Sequence, residues 1–217
     1  MYIILIIIII FIIFYNFFNN EEKFTFDNYY NFENQLIMID KFYSKKDFKI
    51  IKKLCAQKKP KYDKRIQSRK TLCLLKKDNK QLYDIIYNNN KLKKIISEIW
   101  KRKYNKDPSF PIEYRIYPKK SSGMRFHTDL SMFSPDCLEL VLTLNNNSDS
   151  MFQWFESNKI KEIRPKENTL CIVKPNSVIH GVTSTGNGKR SILKFIIEFK
   201  NSKKKKAFYD QIKNCPT

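Results

Sequence analysis

Between Pro111 and Phe199 the chain breaks into short β-prone runs separated by turn residues, and this pattern limits the fold more than any other feature. The runs are Ile112 to Tyr117, Met124 to His127, Leu138 to Leu144, Met151 to Phe155, Thr169 to Lys174, Val178 to His180 and Ser191 to Phe199. Short strands at this spacing predict packed antiparallel sheets. Seven or eight of them over about ninety residues suit a jelly roll. No internal repeat is visible, so a solenoid or propeller is not expected.

Ahead of the strands the apolar spacing changes. In LIMIDKFYSKKDFKIIKKLCAQ a short apolar run is followed by Ser44, then Asp47 three residues on, then Phe48, Ile51, Leu54 and Cys55. That predicts a strand and a capped amphipathic helix. Residues 60 to 70 are a polar connection, and Thr71 to Leu75 reads as a strand. A second helix fits Gln81 to Trp100, with Asn88 to Asn90 able to break it in two. The expected fold class is therefore mainly β with flanking helices, the two helices lying on one sheet.

Residues 1–18, MYIILIIIIIFIIFYNFF, carry no charge and have about the length that crosses a bilayer. No Lys or Arg precedes Lys23, unlike a cleaved secretory signal, so an uncleaved transmembrane anchor is expected. The expected organisation is an anchor over 1–18, a stalk over 19–35, one domain over 36–200 and a basic tail over 201–217. A single-pass membrane protein follows, with its domain in the endoplasmic reticulum or Golgi lumen as one orientation. The sequon Asn146-Asn147-Ser148 fits that orientation.

The formal charge is +21, from 42 Lys plus Arg against 21 Asp plus Glu, which invites a nucleic-acid partner. Only seven of the basic residues are Arg, however, and the lysines are spread from Lys41 to Lys206 in a chain equally rich in Asn and Ile. Base-reading proteins spend arginine on the task, so nucleic acid is not the expected partner. The cysteines, Cys55, Cys73, Cys137, Cys171 and Cys215, have wide irregular spacing with no CxxC pair, and neither a disulfide framework nor a zinc site is expected.

The chain has two histidines. His127 lies in Arg125-Phe126-His127-Thr128-Asp129, where i and i+2 at a strand end point to one face. An imidazole and a carboxylate therefore converge. His180 follows in Val178-Ile179-His180-Gly181, and Arg190 comes ten residues later. Two imidazoles and one carboxylate on a β scaffold are the ligand set of non-haem Fe(II), with open positions for a chelating 2-oxo acid and oxygen. The same triad can hold zinc for hydrolysis. A 2-oxo acid with a far carboxylate needs a fixed cation, which Arg190 offers as a two-pronged donor.

At these residues the sequence resembles the 2-oxoglutarate and Fe(II)-dependent dioxygenases, in particular the prolyl 4-hydroxylase-like branch. The resemblance runs over residues 36–200, through LIMIDKFYSKKDFKIIKKL, Tyr114-Arg115-Ile116-Tyr117-Pro118, the HxD and VIHGVTSTGNGKRSILKFIIEF. It implies a double-stranded β-helix with His127, Asp129 and His180 as metal ligands and Arg190 as partner of the far carboxylate, these four forming the catalytic set. It also implies that Tyr117 and Thr143 contact the co-substrate. The implied cofactors are Fe(II), 2-oxoglutarate and O2, with ascorbate as reductant, and the products succinate and CO2. The segment Ser148 to Trp154 departs from the family, where many prolyl hydroxylases carry a glycine pair. Met124, Phe126, Leu140, Phe152, Trp154 and Phe195 are candidates to wall the pocket.

The leading expectation is a hydroxylase acting on a protein or peptide side chain, proline first. The alternatives are a nucleic-acid-demethylating dioxygenase of the same fold and a non-catalytic jelly roll used for binding. No aromatic pair with flanking arginines is placed to hold a flipped base, which disfavours the first. A non-catalytic module would be expected to lose a ligand, and none is lost.

Overall fold

The computed structural model describes residues 29–63 and 68–216. The chain starts with β1 (Tyr29–Phe32) and β2 (Leu36–Ile39), followed by helix α1 (Lys45–Ala56). Next come β3 (Lys61–Tyr62), β4 (Lys70–Leu74) and helices α2 (Lys80–Tyr87) and α3 (Asn90–Trp100). The β-rich half contains β5 (Ile112–Tyr117), β6 (Met124–His127), β7 (Phe133–Ser134), β8 (Leu138–Asn146), β9 (Phe152–Glu156) and β10 (Lys159–Ile163). It continues with β11 (Leu170–Val173), β12 (His180–Val182), β13 (Arg190–Ile197) and β14 (Lys203–Lys204), and ends in helix α4 (Lys206–Lys213).

The helices form where the sequence caps them. Ser44 Oγ accepts from the backbone N–H of Asp47 at 3.0 Å, and Phe48, Ile51 and Cys55 bury one face of α1. The break between α2 and α3 falls at Asn88 and Asn89, and the Asn89 side chain caps α3 by accepting from Leu92 N at 2.9 Å.

The strands make an eight-stranded sheet in the order β1-β2-β11-β8-β13-β5-β4-β3 and a four-stranded sheet in the order β10-β9-β12-β6. Alternation along the larger sheet divides its faces. Ile37, Leu140, Leu142, Ile172, Leu193 and Phe195 belong to one core cluster with Phe48, Ile86 and Ile95 of the helices, all buried. On the other face Leu36, Met38, Cys171 and Val173 pack with Phe152 and Trp154 of the smaller sheet. Each such side chain taken out of water contributes roughly 1.5–3 kcal/mol, so the two layers hold the sheets together mainly through burial. This is the expected jelly roll with helices on one sheet.

The structure corrects several expectations. Among the described residues no helix is long and apolar enough to cross a membrane, so the single-pass membrane protein and its luminal placement are withdrawn. The run 1–18 on which that expectation rested lies outside the described residues. Tyr29–Phe32, within the expected stalk, is a strand that pairs antiparallel with β2. The expected basic tail folds: Lys203 and Lys204 pair with Ser134 and Phe133, and α4 buries Phe208 against Phe110, Met132 and Phe133. Cys73 and Cys215 form a disulfide, which the spacing could not reveal because 142 residues separate them.

Candidate active site

The triad is assembled by the smaller sheet. His180 on β12 is directly opposite His127 on β6 and Trp154 on β9. Asp129 follows β6 by two residues, and its carbonyl accepts from Asn176 N at 2.8 Å, which fastens it to the loop before β12. His127 Nε2 lies 3.6 Å from Asp129 Oδ1, and His180 Nε2 lies 3.3 Å from Asp129 Oδ2. The three ligand atoms fall within 4.8 Å of one another.

Both rings are oriented alike. His127 Nδ1 bonds to the Arg125 carbonyl at 2.8 Å and His180 Nδ1 to the Val178 carbonyl at 3.1 Å, each two residues back along the chain. A carbonyl can only accept, so Nδ1 carries the proton and Nε2 presents its lone pair to the centre. Burial would raise the pKa of Asp129, but the two imidazoles, which donate to it once protonated, and the charge of Lys194 hold it well below the usual carboxylate range. Asp129 would accept a hydrogen bond from the protonated ring, which raises His127 above the ordinary histidine value. The space between the three therefore favours a positive charge, and the donor set fits a first-row divalent metal.

A bulge sets this geometry. Between His180 and Val182 on β12 there are two steps, but between their partners His127 and Met124 on β6 there are three. The extra residue keeps Met124 and His127 on the interior while Arg125 and Phe126 are exposed. Opposite the bulge is Gly181, where a Cβ would come within 3.0 Å of Met124 O and 3.3 Å of Phe126 N. Glycine is the residue that lets the two strands approach here.

Behind the triad lies a chamber between the sheets, walled by Met38, Val141, Phe152, Cys171 and Val173 and reached by Tyr117, Thr143 and Arg190. Arg190 begins β13, opposite Tyr117 of β5 and Asn146 of β8. It is 4% exposed, its Nε has no hydrogen-bond partner, and among the described residues no carboxylate lies within ion-pair distance of it. Burial pushes its pKa down. An uncompensated buried cation costs several kcal/mol, so the chamber is built for an anion. Burial alone would raise the Tyr117 phenol, but the guanidiniums of Arg115, Arg69 and Arg190 hold it below its usual value.

In front of the triad a second opening passes His127 and Asp129. Its floor continues the same sheet face, but the residues there are charged: Arg69, Glu113, Arg115, Glu139 and Lys194. Each cation has a carboxylate. Arg69 bonds to Asp63 at 2.8 Å, Arg115 to Glu113, and Lys194 to Glu139. The outer wall is α4, through Ala207, Asp210 and Gln211. This cleft holds about 430 Å³ against about 60 Å³ for the inner chamber, so a small anion suits the chamber and a larger molecule the cleft.

All six residues singled out from the sequence thus reach one region. Of the candidate wall residues, Met124 and Phe152 line the chamber, and Trp154 packs beside it. Leu140 and Phe195 face the helices, and Phe126 lies outside against Phe155, with ring centroids 4.8 Å apart. The charged floor was not foreseen. Glu113 and Arg115 have the strand parity of Tyr117, and Lys194 has that of Arg190, a signal that could have found them.

No protein-family model matches the chain, and no curated protein matches it in sequence. Solved structures do match in fold. A prolyl hydroxylase from Trichoplax adhaerens, in complex with a hypoxia inducible factor oxygen degradation domain peptide fragment, superposes with a TM-score of 0.58 at 15% identity, covering 76% of this chain and 84% of that one. A Pseudomonas putida prolyl-4-hydroxylase gives 0.57 at 14% identity, over 75% and 92% of the two chains. HygX from Streptomyces hygroscopicus, with nickel, 2-oxoglutarate and hygromycin B bound, gives 0.61 at 7% identity, over 76% and 83%. A structure from Burkholderia pseudomallei described as a 2OG-Fe(II) oxygenase family oxidoreductase gives 0.60 at 11% identity, over 76% and 85%. The chain therefore has the double-stranded β-helix fold of the 2OG-Fe(II) oxygenases, prolyl hydroxylases among them.

Proposed function

We propose that this protein is a 2-oxoglutarate- and Fe(II)-dependent dioxygenase that hydroxylates a protein or peptide side chain, proline first. The observation that carries this reading is Arg190, a buried guanidinium without a carboxylate partner among the described residues, facing a chamber whose other end is the His127, Asp129 and His180 triad. A dicarboxylate with a keto group is the ligand class that satisfies both ends. Tyr117 and Thr143 sit beside Arg190 in the chamber, where each can offer a hydroxyl to the same far carboxylate.

When bound, iron and 2-oxoglutarate supply the oxidative chemistry, consuming O2 and yielding succinate, CO2 and a hydroxylated product, with ascorbate as the reductant that keeps iron ferrous. The chain's own residues supply position. His127 and His180 are oriented by their Nδ1 bonds, Asp129 by its backbone bond to Asn176, and the apolar walls at Met38, Val141 and Phe152 exclude water.

Peptide is favoured over nucleic acid by the charge of the cleft. Despite the overall +21, the titratable side chains described in its lining besides His127 are four acids, Glu113, Asp129, Glu139 and Asp210, and three bases, each of the bases already paired. Among the described residues a phosphate backbone would meet no spare cation there. The Trichoplax adhaerens neighbour, which holds a peptide fragment, supports the same choice by analogy of fold.

The test is turnover. Protein incubated with Fe(II), 2-oxoglutarate, ascorbate and oxygen is expected to form succinate slowly on its own and faster with an accepted proline-containing peptide, whose mass rises by one oxygen. Succinate formation is expected to vanish in His127→Ala. A folded, metal-loaded wild type that forms no succinate would overturn the proposal.

A further inference from the structure

We infer that the Cys73–Cys215 disulfide is a latch that holds α4 as the outer wall of the cleft in front of the triad, so that thiol exchange at this bridge sets the width of the primary-substrate entrance. That the cleft admits the primary substrate rests on the function proposed above. The latch itself rests on how the C-terminal segment is attached.

That attachment is thin except at the bridge. The two-residue strand β14 pairs with β7, and Phe208 is the one buried side chain of the eight-residue α4, with Ala207 and Ile212 partly buried against the same cluster. A helix this short does not hold its shape without tertiary contacts. The chain then reaches Cys215, bonded to Cys73, and the neighbouring Pro216 carbonyl accepts from Cys73 N at 2.6 Å. Cys73 is itself part of the floor's framework, since it pairs with Glu113 across β4 and β5. The bridge therefore ties the wall of the cleft directly to its floor. Between its two attachments α4 presents Ala207, Asp210 and Gln211 to the opening that contains His127 and Asp129.

The exchange chemistry is confined to this pair. Cys55, Cys137 and Cys171 are buried and free, and burial pushes their thiols up to about 12, about 11 and about 12, leaving them inert. Cys215 is half-buried, whereas Cys73 is buried, so an incoming thiolate meets the Cys215 sulfur. With a dithiol as reductant, its thiolate bonds to Cys215 Sγ, the bridge breaks, and Cys73 leaves as a thiolate that takes a proton. The second thiol of the reductant then attacks the mixed disulfide and releases Cys215 as a thiol. The bridge gains two electrons and two protons, and the dithiol becomes a disulfide.

The experiment uses the full chain loaded with Fe(II), with and without dithiothreitol, and the Cys215→Ser variant. Denatured protein is expected to show three free thiols before reduction and five after it. Amide hydrogen exchange over 206–213 is expected to accelerate by about tenfold or more on reduction and in Cys215→Ser, while protection of β8 and β13 stays as it was. Five free thiols before reduction, or unchanged exchange in α4, overturns the latch. So does loss of protection throughout β8 and β13, because the bridge would then be a staple of the whole fold. If Fe(II) and 2-oxoglutarate give no absorption band in either form while α4 still responds, the latch stands and the active-site reading fails.

Discussion

His127 and His180 are cross-strand partners whose ring centroids lie 4.6 Å apart, each fixed by an Nδ1 bond to the carbonyl two residues before it. The pair is thus held ready by the backbone, with Asp129 closing the third side. Removing a ligand should abolish metal binding and leave the fold. His127→Ala and Asp129→Ala are expected to lose more than the roughly 10–100-fold in Ni(II) or Fe(II) affinity that outer partners account for, with unchanged circular dichroism. Calorimetric titration measures this, and retained affinity in either variant would count against the triad.

Gly181 is the position where backbone geometry controls the triad. A methyl group there would press on Met124 O and Phe126 N, and those backbones belong to the bulge that aims His127. Gly181→Ala is expected to destabilise the fold by about 1–3 kcal/mol, the cost of overpacking, and to weaken metal binding. Denaturant midpoint and metal titration read the two effects. A neutral result in both would mean that the strands can separate without disturbing the site.

Arg190 should show function opposed to stability. It is buried without a counter-ion among the described residues, so Arg190→Leu is expected to leave the metal-free protein as stable as wild type or more so, by up to about 1–4 kcal/mol. The same change should weaken 2-oxoglutarate binding on the order of 100-fold, as loss of a desolvated charge-assisted pair does. Thermal melts with and without 2-oxoglutarate separate the effects, and wild-type stabilisation by the ligand in the Leu variant would contradict the assignment.

Tyr117 provides a spectroscopic reporter. Its phenol is held below the usual 10.0 by three guanidiniums acting against burial, whereas burial raises Tyr83 and Tyr104 to about 12. A phenol whose pKa is depressed on folding adds stability that is present above 10.0 and lost as pH falls through the folded value, so its window lies just below 10.0. Ultraviolet titration should find an early phenolate step that is missing in Tyr117→Phe. Because 2-oxoglutarate brings negative charge beside Arg190, it should move that step to higher pH. No movement on saturation would place the ligand elsewhere.

The fold was legible where apolar alternation met clear turn residues. Ile112–Tyr117 and Met124–His127 were placed to the residue, and the break before α3 was signalled by the run Asn88 to Asn90. β10 was not foreseen because Lys159–Ile163 is exposed along nearly its whole length and so has no apolar alternation. The lysine run before α4 disguised a strand and a helix in which Phe208 is the one fully buried side chain. At the site, the triad and Arg190 could be read because histidines are so few and the HxD spacing fits a strand end. Phe126 was misplaced because a bulge reverses strand parity, and Leu140 and Phe195 because parity was not carried along from Thr143 and Arg190. The Cys73–Cys215 bridge depends on β4 and the C-terminus meeting in space, which no local pattern encodes.

The central claim is that the triad and Arg190 together hold iron and a 2-oxo dicarboxylate, and anaerobic absorption spectroscopy tests it most directly. Fe(II) and then 2-oxoglutarate are added to the protein under nitrogen while the visible spectrum is recorded. A weak charge-transfer band that needs both additions, disappears in His127→Ala and requires far more 2-oxoglutarate in Arg190→Ala is the predicted result. A folded wild-type protein that binds Fe(II) and gives no band at saturating 2-oxoglutarate would contradict the account.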